Sequence, residues 1–297
     1  MTAWDSAEAP LPSTEPRGAE RREARLAWWM AAPAVLTILL VALFPLGWTI
    51  WESLHLHDLR MPWLGRPFVG LANYLEVLQD RRFWGAMGHT AWFAAVSVSL
   101  ELVVGCALAL AMNRTFRGRT LVRLSILIPW AIPTVVAALV WRFMFEGLEG
   151  WLASDLKAWV PIILADAWKE TPFVALLLLA GLQGIDPSLY EAARIDGASP
   201  WRQFRHVTLP LLAPAIMVAL IFRTMNAFRV FDLIYVLTGG GPGTATEPIS
   251  LYTFNSLMQN LRFGYGSTLS VLVFLVTFAL ALGYIRLLGR GLTETRA

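Results

Sequence analysis

Six apolar runs, each close to the ~20 residues needed to cross the hydrocarbon core of a bilayer, constrain this chain more than any other feature. They lie near Trp28–Trp51, Met87–Met112, Leu121–Phe145, Trp159–Gly181, Leu211–Leu237 and Ser267–Leu288. The reading is an all-α, polytopic membrane protein with six transmembrane helices. Composition agrees: 57% of the 297 residues are hydrophobic and only 15% charged, against about 25% charged in soluble domains. The first run is too long for a signal-peptide core and no cleavage site follows it, so it is expected to remain as an anchor. Residues 1–25 are polar, with Pro10, Pro12 and Pro16, and read as a mobile tail; residues 26–297 form the membrane domain.

Basic residues set the orientation. Of 24 Lys and Arg, 14 flank the spans on one side: Arg17 to Arg25, Arg114 to Arg123, Arg194 to Arg205 and Arg286 to Arg296. Only six lie on the other, at Arg60, Arg66, Arg81, Arg82, Lys157 and Arg262. The positive-inside rule then makes both termini and the loop at 187–210 cytoplasmic. On the outer side, Gly70, Asn73 and Tyr74 precede a stretch expected as an interfacial helix, and Gly239 to Gly243 must turn.

The 187–210 loop is the longest polar insertion between two late spans. Pro187 and Ser188 start a short helix with Leu189, Tyr190, Ala193 and Ile195 on its apolar side. Asp196-Gly197 stops it, because glycine tolerates the left-handed conformation of a helix end. Trp201 to Val207 reads as a second short helix, and Leu209-Pro210 as the start of the next span. No GxxxxGK[ST] or other phosphate-cradling loop occurs, so energy must come from a partner or a gradient.

Glu191-Ala192-Ala193, Gly197, Val207 and Leu209-Pro210 together resemble the EAA motif of bacterial ABC-importer permeases, in its sugar-importer wording EAARIDGA. Blocks at residues 128–133, 167–173, 228–232 and 235–242 are similar to the same subfamily, so the resemblance covers about residues 25–290. It implies the type I ABC-importer permease fold in a bacterial inner membrane. Glu191, Ala192, Ala193, Asp196 and Gly197 would be the coupling surface for an ATPase. Its implied partners are a second permease subunit, two ATP-binding cassette subunits carrying ATP and Mg2+, and an extracytoplasmic sugar-binding protein. Trehalose or maltose is the implied kind of substrate.

Charges inside the spans need partners or a water-filled cavity. Asp166, Glu170 and Phe173 share a face of the fourth span; Arg223 and Asn226 share a face of the fifth, with Arg229 and Asp232 beyond. Asp166, Glu170, Phe173, Arg223, Asn226 and Asp232 are the candidate substrate contacts, since carboxylates, an amide and an aromatic wall suit a sugar. The competing reading makes Lys169 pair with Glu170 or Asp166, and Arg223 or Arg229 with Asp232, as ion pairs that fix packing. Glu101 and Arg142 read as structural or interfacial. His55, His57, His89 and His206 lack ligand spacing, Cys106 has no disulfide partner, and no catalytic or metal site is expected. Glycerol 3-phosphate, drawn by Arg223 and Arg229, is the alternative substrate. An ion-coupled secondary transporter using Asp166, Glu170 and Asp232 is the alternative class.

Overall fold

Proline decides where the long helices of this chain bend and where they merely widen. The computed structural model describes residues 17–114, 117–148 and 150–294. The chain divides into two units, residues 1–51 and 52–297. In the first, α1 (Arg17–Ile38) passes through a π-helical turn at Leu39–Leu43 into α2 (Phe44–Ser53). Residues 25–53 form one run apolar and long enough to cross a membrane. The π turn ends two residues before Pro45, whose missing N–H and bulky ring the wider turn accommodates. Of the expected tail at 1–25, residues 17–25 belong to α1, and residues 1–16 lie outside the described residues.

In the second unit, α3 (Ala72–Gln79) begins earlier than the expected helix and takes in Asn73 and Tyr74. Asp80 then caps α4 (Arg81–Asn113), its carboxylate accepting the Arg82 N–H at 2.8 Å. The third apolar run is α5 (Arg119–Ala131) and α6 (Thr134–Glu146), set at 90° to each other. The break is at Ile132, held extended (ψ 132°) by the ring of Pro133. The fourth run is α7 (Trp159–Gln183), which continues after a 71° bend as α8 (Pro187–Ile195).

The fifth run differs from expectation at both ends. Trp201 to Val207 is not a separate short helix: α9 (Pro200–Gln203), a π turn at Phe204–Thr208 and α10 (Leu209–Ala227) form one 28-residue helix. The π turn again ends two residues ahead of a proline, Pro210, so the helix widens instead of stopping. At the other end the helix stops at Ala227, not near Leu237. Residues 228–231 turn the chain into α11 (Asp232–Leu237), whose first turn holds the acidic Asp232. Exposed Arg229 lies in this turn and exposed Asp232 follows it, and two charges that need water do not sit in an unbroken span. The chain closes with α12 (Ile249–Phe254), a π turn at Asn255–Gln259 and α13 (Phe263–Glu294). Among the described residues four helices are long and apolar enough to cross a membrane, and counting each bent pair as one span gives six.

The helix α4 packs most extensively on α7, with α10 against both and α5 and α6 beside α7. Small residues let these backbones approach, as they do in membrane bundles generally. A Cβ on Gly105 would lie 2.8 Å from Val174 Cγ1, and one on Gly181 only 2.5 Å from Ala215 Cβ. One apolar cluster, with Met112, Leu178 and Leu212, fills the α8 end of this bundle. A second, with Phe93, Ile162 and Ile234, fills the opposite end. Between them lies a layer of charge.

Candidate functional site

The helix α8 is built to end abruptly. Asp186 caps it, accepting the Ser188 N–H at 2.9 Å, and Pro187 occupies its first position. At the other end, Ala198 N–H bonds the Ala193 carbonyl at 2.9 Å and Gly197 N–H that of Arg194 at 3.0 Å. This is a Schellman closure, and it requires the left-handed Gly197 (φ 73°). Ser199 caps the following helix, and Gln203 Nε2 donates to the Ala198 carbonyl at 2.9 Å. The hydroxyls of Tyr190 and Thr208 meet at 3.1 Å, pinning α8 to the π turn that leads into α10.

The loop is therefore a rigid bracket joining α7 to α10. Glu191, Ala192, Asp196 and Gly197 are exposed on it and Ala193 is half-buried. Ile195 is 87% exposed and Trp201 67%. These apolar side chains stay open on an otherwise polar segment.

The second candidate site is the charged layer. Arg223 of α10 is 2% exposed and Glu101 of α4 fully buried. The guanidinium grips the carboxylate with two bonds: Nε to Oε2, and Nη2 to Oε1 at 2.6 Å. Nη2 also donates to Asp166 Oδ2 at 3.0 Å, and Nη1 lies 3.7 Å from Glu170 Oε2. Asp166 accepts from Ser97 Oγ at 2.9 Å, and Lys169 Nζ pairs with Glu170 at 3.1 Å. One network thus ties α4, α7 and α10 together.

Above this network opens a polar cleft of about 170 Å3 that Asp166, Glu170, Arg223, Asn226, Arg229 and Asp232 help to line. Five of the six candidate substrate residues therefore come together. Phe173 does not line the cleft: its ring stacks with Trp130 at 6.1 Å and meets Phe222 edge-on at 6.3 Å. Seven residues past Asp166, it is about 10 Å further along α7.

The expected pairing of Lys169 with Glu170 is present, whereas Arg223 pairs with Glu101, Asp166 and Glu170, not with Asp232. Glu101, read from sequence as structural or interfacial, is the arginine's main partner. The available signal was two opposite charges deep in separate apolar runs, each too costly to leave alone. Arg142, the other residue so read, donates to the Val236 carbonyl at 3.1 Å. Among the described residues no group of three or more His, Cys, Asp or Glu could hold a metal ion.

Residues 101–293 match the family described as binding-protein-dependent transport system inner membrane component. The chain belongs to that family. The trehalose/maltose transport system permease protein MalF of Thermococcus litoralis is 45% identical over 281 residues, spanning 89% of this chain and 94% of that one. The trehalose transport system permease protein SugA of Mycobacterium tuberculosis is 42% identical over 283 residues, 92% and 91% of the two chains. A crystal structure of a bacterial ABC transporter involved in the import of the acidic polysaccharide alginate aligns with a TM-score of 0.76 at 23% identity. It covers 92% of this chain and 98% of that one, and shares its fold. As a binding-protein-dependent permease, the chain is an inner-membrane transport component with the type I ABC-importer fold, and the ion-coupled alternative falls away.

Proposed function

We propose that the chain is one of two membrane-spanning subunits of an ATP-driven importer for a neutral di- or oligosaccharide, trehalose or maltose in kind. It works by alternating access. Two ATP-binding cassette partners, holding ATP and Mg2+, dock on α8 through Glu191, Ala192, Ala193, Asp196 and Gly197. The bracket passes their closure to α7 and α10 as a rigid-body motion. An extracytoplasmic sugar-binding protein delivers substrate from the other side, and the distribution of Lys and Arg supports a cytoplasmic position for both termini and α8. The chain carries out no covalent step itself. A switch between states a few kcal/mol apart is what a loaded binding protein can bias.

The observation that carries the choice of substrate is the charge balance of the cleft. Arg223 and Lys169 are already committed to carboxylates, and the lining's Asp166, Glu170 and Asp232 match Lys169, Arg223 and Arg229 in number, which leaves the cleft no net positive charge. Glycerol 3-phosphate would bring an anion to a cleft with no positive excess to receive it. A neutral sugar instead meets acceptors in the carboxylates and both donor and acceptor in Asn226. The two relatives named above, both trehalose permeases by name, support the same class.

The test is uptake of labelled trehalose and maltose by cells carrying the whole importer. Uptake should be indifferent to excess glycerol 3-phosphate and abolished by Glu191→Ala or Gly197→Pro, with the protein still in the membrane. Competition by glycerol 3-phosphate would overturn the neutral-sugar reading. Normal uptake by both variants would overturn the coupling role.

A further inference from the structure

The first turn of α7, at the end away from α8, borders an open groove of about 800 Å3, within the ~300–1,000 Å3 of ordinary ligand pockets. Its walls include Trp92 and His89 of α4, Asp155 in the segment before α7, Trp159 at the start of α7, and Pro242 and Thr244 of the glycine-rich turn. Trp159 is 6% exposed and its Nε1–H is bound to the Ala245 carbonyl at 3.2 Å. Trp92 stands edge-to-face on it, with centroids 4.9 Å apart at 68°. Held by this fixed neighbour, the Trp92 ring remains 46% exposed.

The polar groups are oriented as well. His89 Nδ1 lies 3.2 Å from the Glu247 carbonyl, which only accepts, so Nδ1 carries the proton and Nε2 of the neutral ring is an acceptor. Asp155 is exposed, as is Thr244. A tryptophan near a helix end would ordinarily belong to the interfacial belt that faces lipid. Here the same groove holds an exposed carboxylate, which is not kept against hydrocarbon. The groove is thus suited to face water, and an open indole beside such acceptors is the chemistry that receives the C–H face of a sugar ring.

We propose that this groove is a second sugar subsite, an outer holding position for one neutral glycosyl unit. The Trp92 ring stacks on the pyranose face while Asp155 and His89 Nε2 accept from its hydroxyls. Trp159 lies seven residues before Asp166 on α7, about 10 Å along the helix, so a glycosyl unit leaving the groove meets the polar cleft next. The proposal rests on the sugar-import reading for its ligand and is independent of which cleft residues bind.

The test uses the full chain with its partner subunits in lipid nanodiscs, without binding protein, and trehalose or maltose as the probe in saturation-transfer NMR. Transfer to the sugar C–H protons is expected in the wild type, lost in Trp92→Ala, kept in Trp92→Phe and kept in Asn226→Ala. Retention in Trp92→Phe shows that the loss comes from the missing ring and not from misfolding. In uptake, Asp155→Asn should raise KM several-fold with kcat unchanged. Absence of transfer in the wild type, or full transfer in Trp92→Ala, would overturn the subsite. Transfer lost in Asn226→Ala alone would also overturn it while leaving the cleft reading standing.

Discussion

Arg223, near the C-terminal end of α10, is bound through two guanidinium nitrogens to both carboxylate oxygens of Glu101 in α4, a pairing across 122 residues of sequence. Neither side chain tolerates the alternative. An ionised group left alone at membrane depth costs about 2.5–3.5 kcal/mol on insertion scales, so each helix is acceptable there only with the other beside it. The pair therefore fixes which faces of α4 and α10 meet, and Asp166 brings α7 into the same arrangement.

Removing one partner of such a pair should cost about 3–5 kcal/mol, while removing both should cost much less. We expect Glu101→Leu and Arg223→Leu each to lower thermal stability in detergent strongly, and the double variant to recover part of the loss. A double-mutant cycle reads this coupling directly. Additive losses would show that the two side chains act independently.

Gly197 has a positive φ of 73° at the closure of α8. A β-branched residue there faces about 1–2 kcal/mol of left-handed strain, enough to open the closure but not to unfold a six-span protein. Gly197→Val should thus insert normally yet lose ATP-dependent uptake, and Gly197→Asn, which accepts this conformation, should keep most of it. Equal uptake by the two variants would mean that the shape of the helix end is not what the partner reads.

The six apolar runs and the polar loop were legible because both are written locally, in hydropathy and in Pro, Gly and Asp at helix ends. The path of the fifth run was not. The sequence at Leu209-Pro210 looks like a boundary, yet a π turn absorbs Pro210 and the helix runs on from Pro200. At residues 228–231 the apolar character of Phe228, Val230 and Phe231 hid a turn that Arg229 and Asp232 require. Partner choice was equally hidden. Periodicity put Asp166 and Glu170 on one face, but nothing local says that Glu101, rather than Asp232, is what Arg223 reaches. Phe173 shares that face and still misses the cleft, because seven residues along a helix is a long way on the scale of a small ligand.

At Gly181, α7 and α10 come as close as their backbones allow: an added Cβ would be 2.5 Å from Ala215 Cβ and 2.9 Å from Leu212 Cδ1. Overpacking of this kind costs about 1–3 kcal/mol. Gly181→Ala should reduce the yield of monodisperse protein in size-exclusion chromatography, and adding Ala215→Gly should restore it. Failure of the second change to rescue the first would place the strain elsewhere.

Asp80 offers a pH-dependent test at the other end of the bundle. Burial pushes its carboxyl up. Against this, the hydroxyls of Tyr252 and Tyr265 donate to it at 2.5 and 2.7 Å, and the Arg82 N–H and charge act in the same sense. The net effect is a value below the ordinary 3.8. A carboxylate depressed on folding stabilises the folded state above its unfolded value, and that contribution is lost as pH falls through the folded value. Asn caps a helix about as well as Asp, so Asp80→Asn isolates the charge from the cap. The wild type should melt higher than Asp80→Asn at pH 7, keep that margin down to about pH 4, and lose it as the pH drops further. Melting curves in detergent between pH 7 and pH 3 would measure it. A margin unchanged at pH 3 would show that the tyrosine pair stabilises Asp80 as a neutral acid, and that the join between α4, α12 and α13 does not depend on charge.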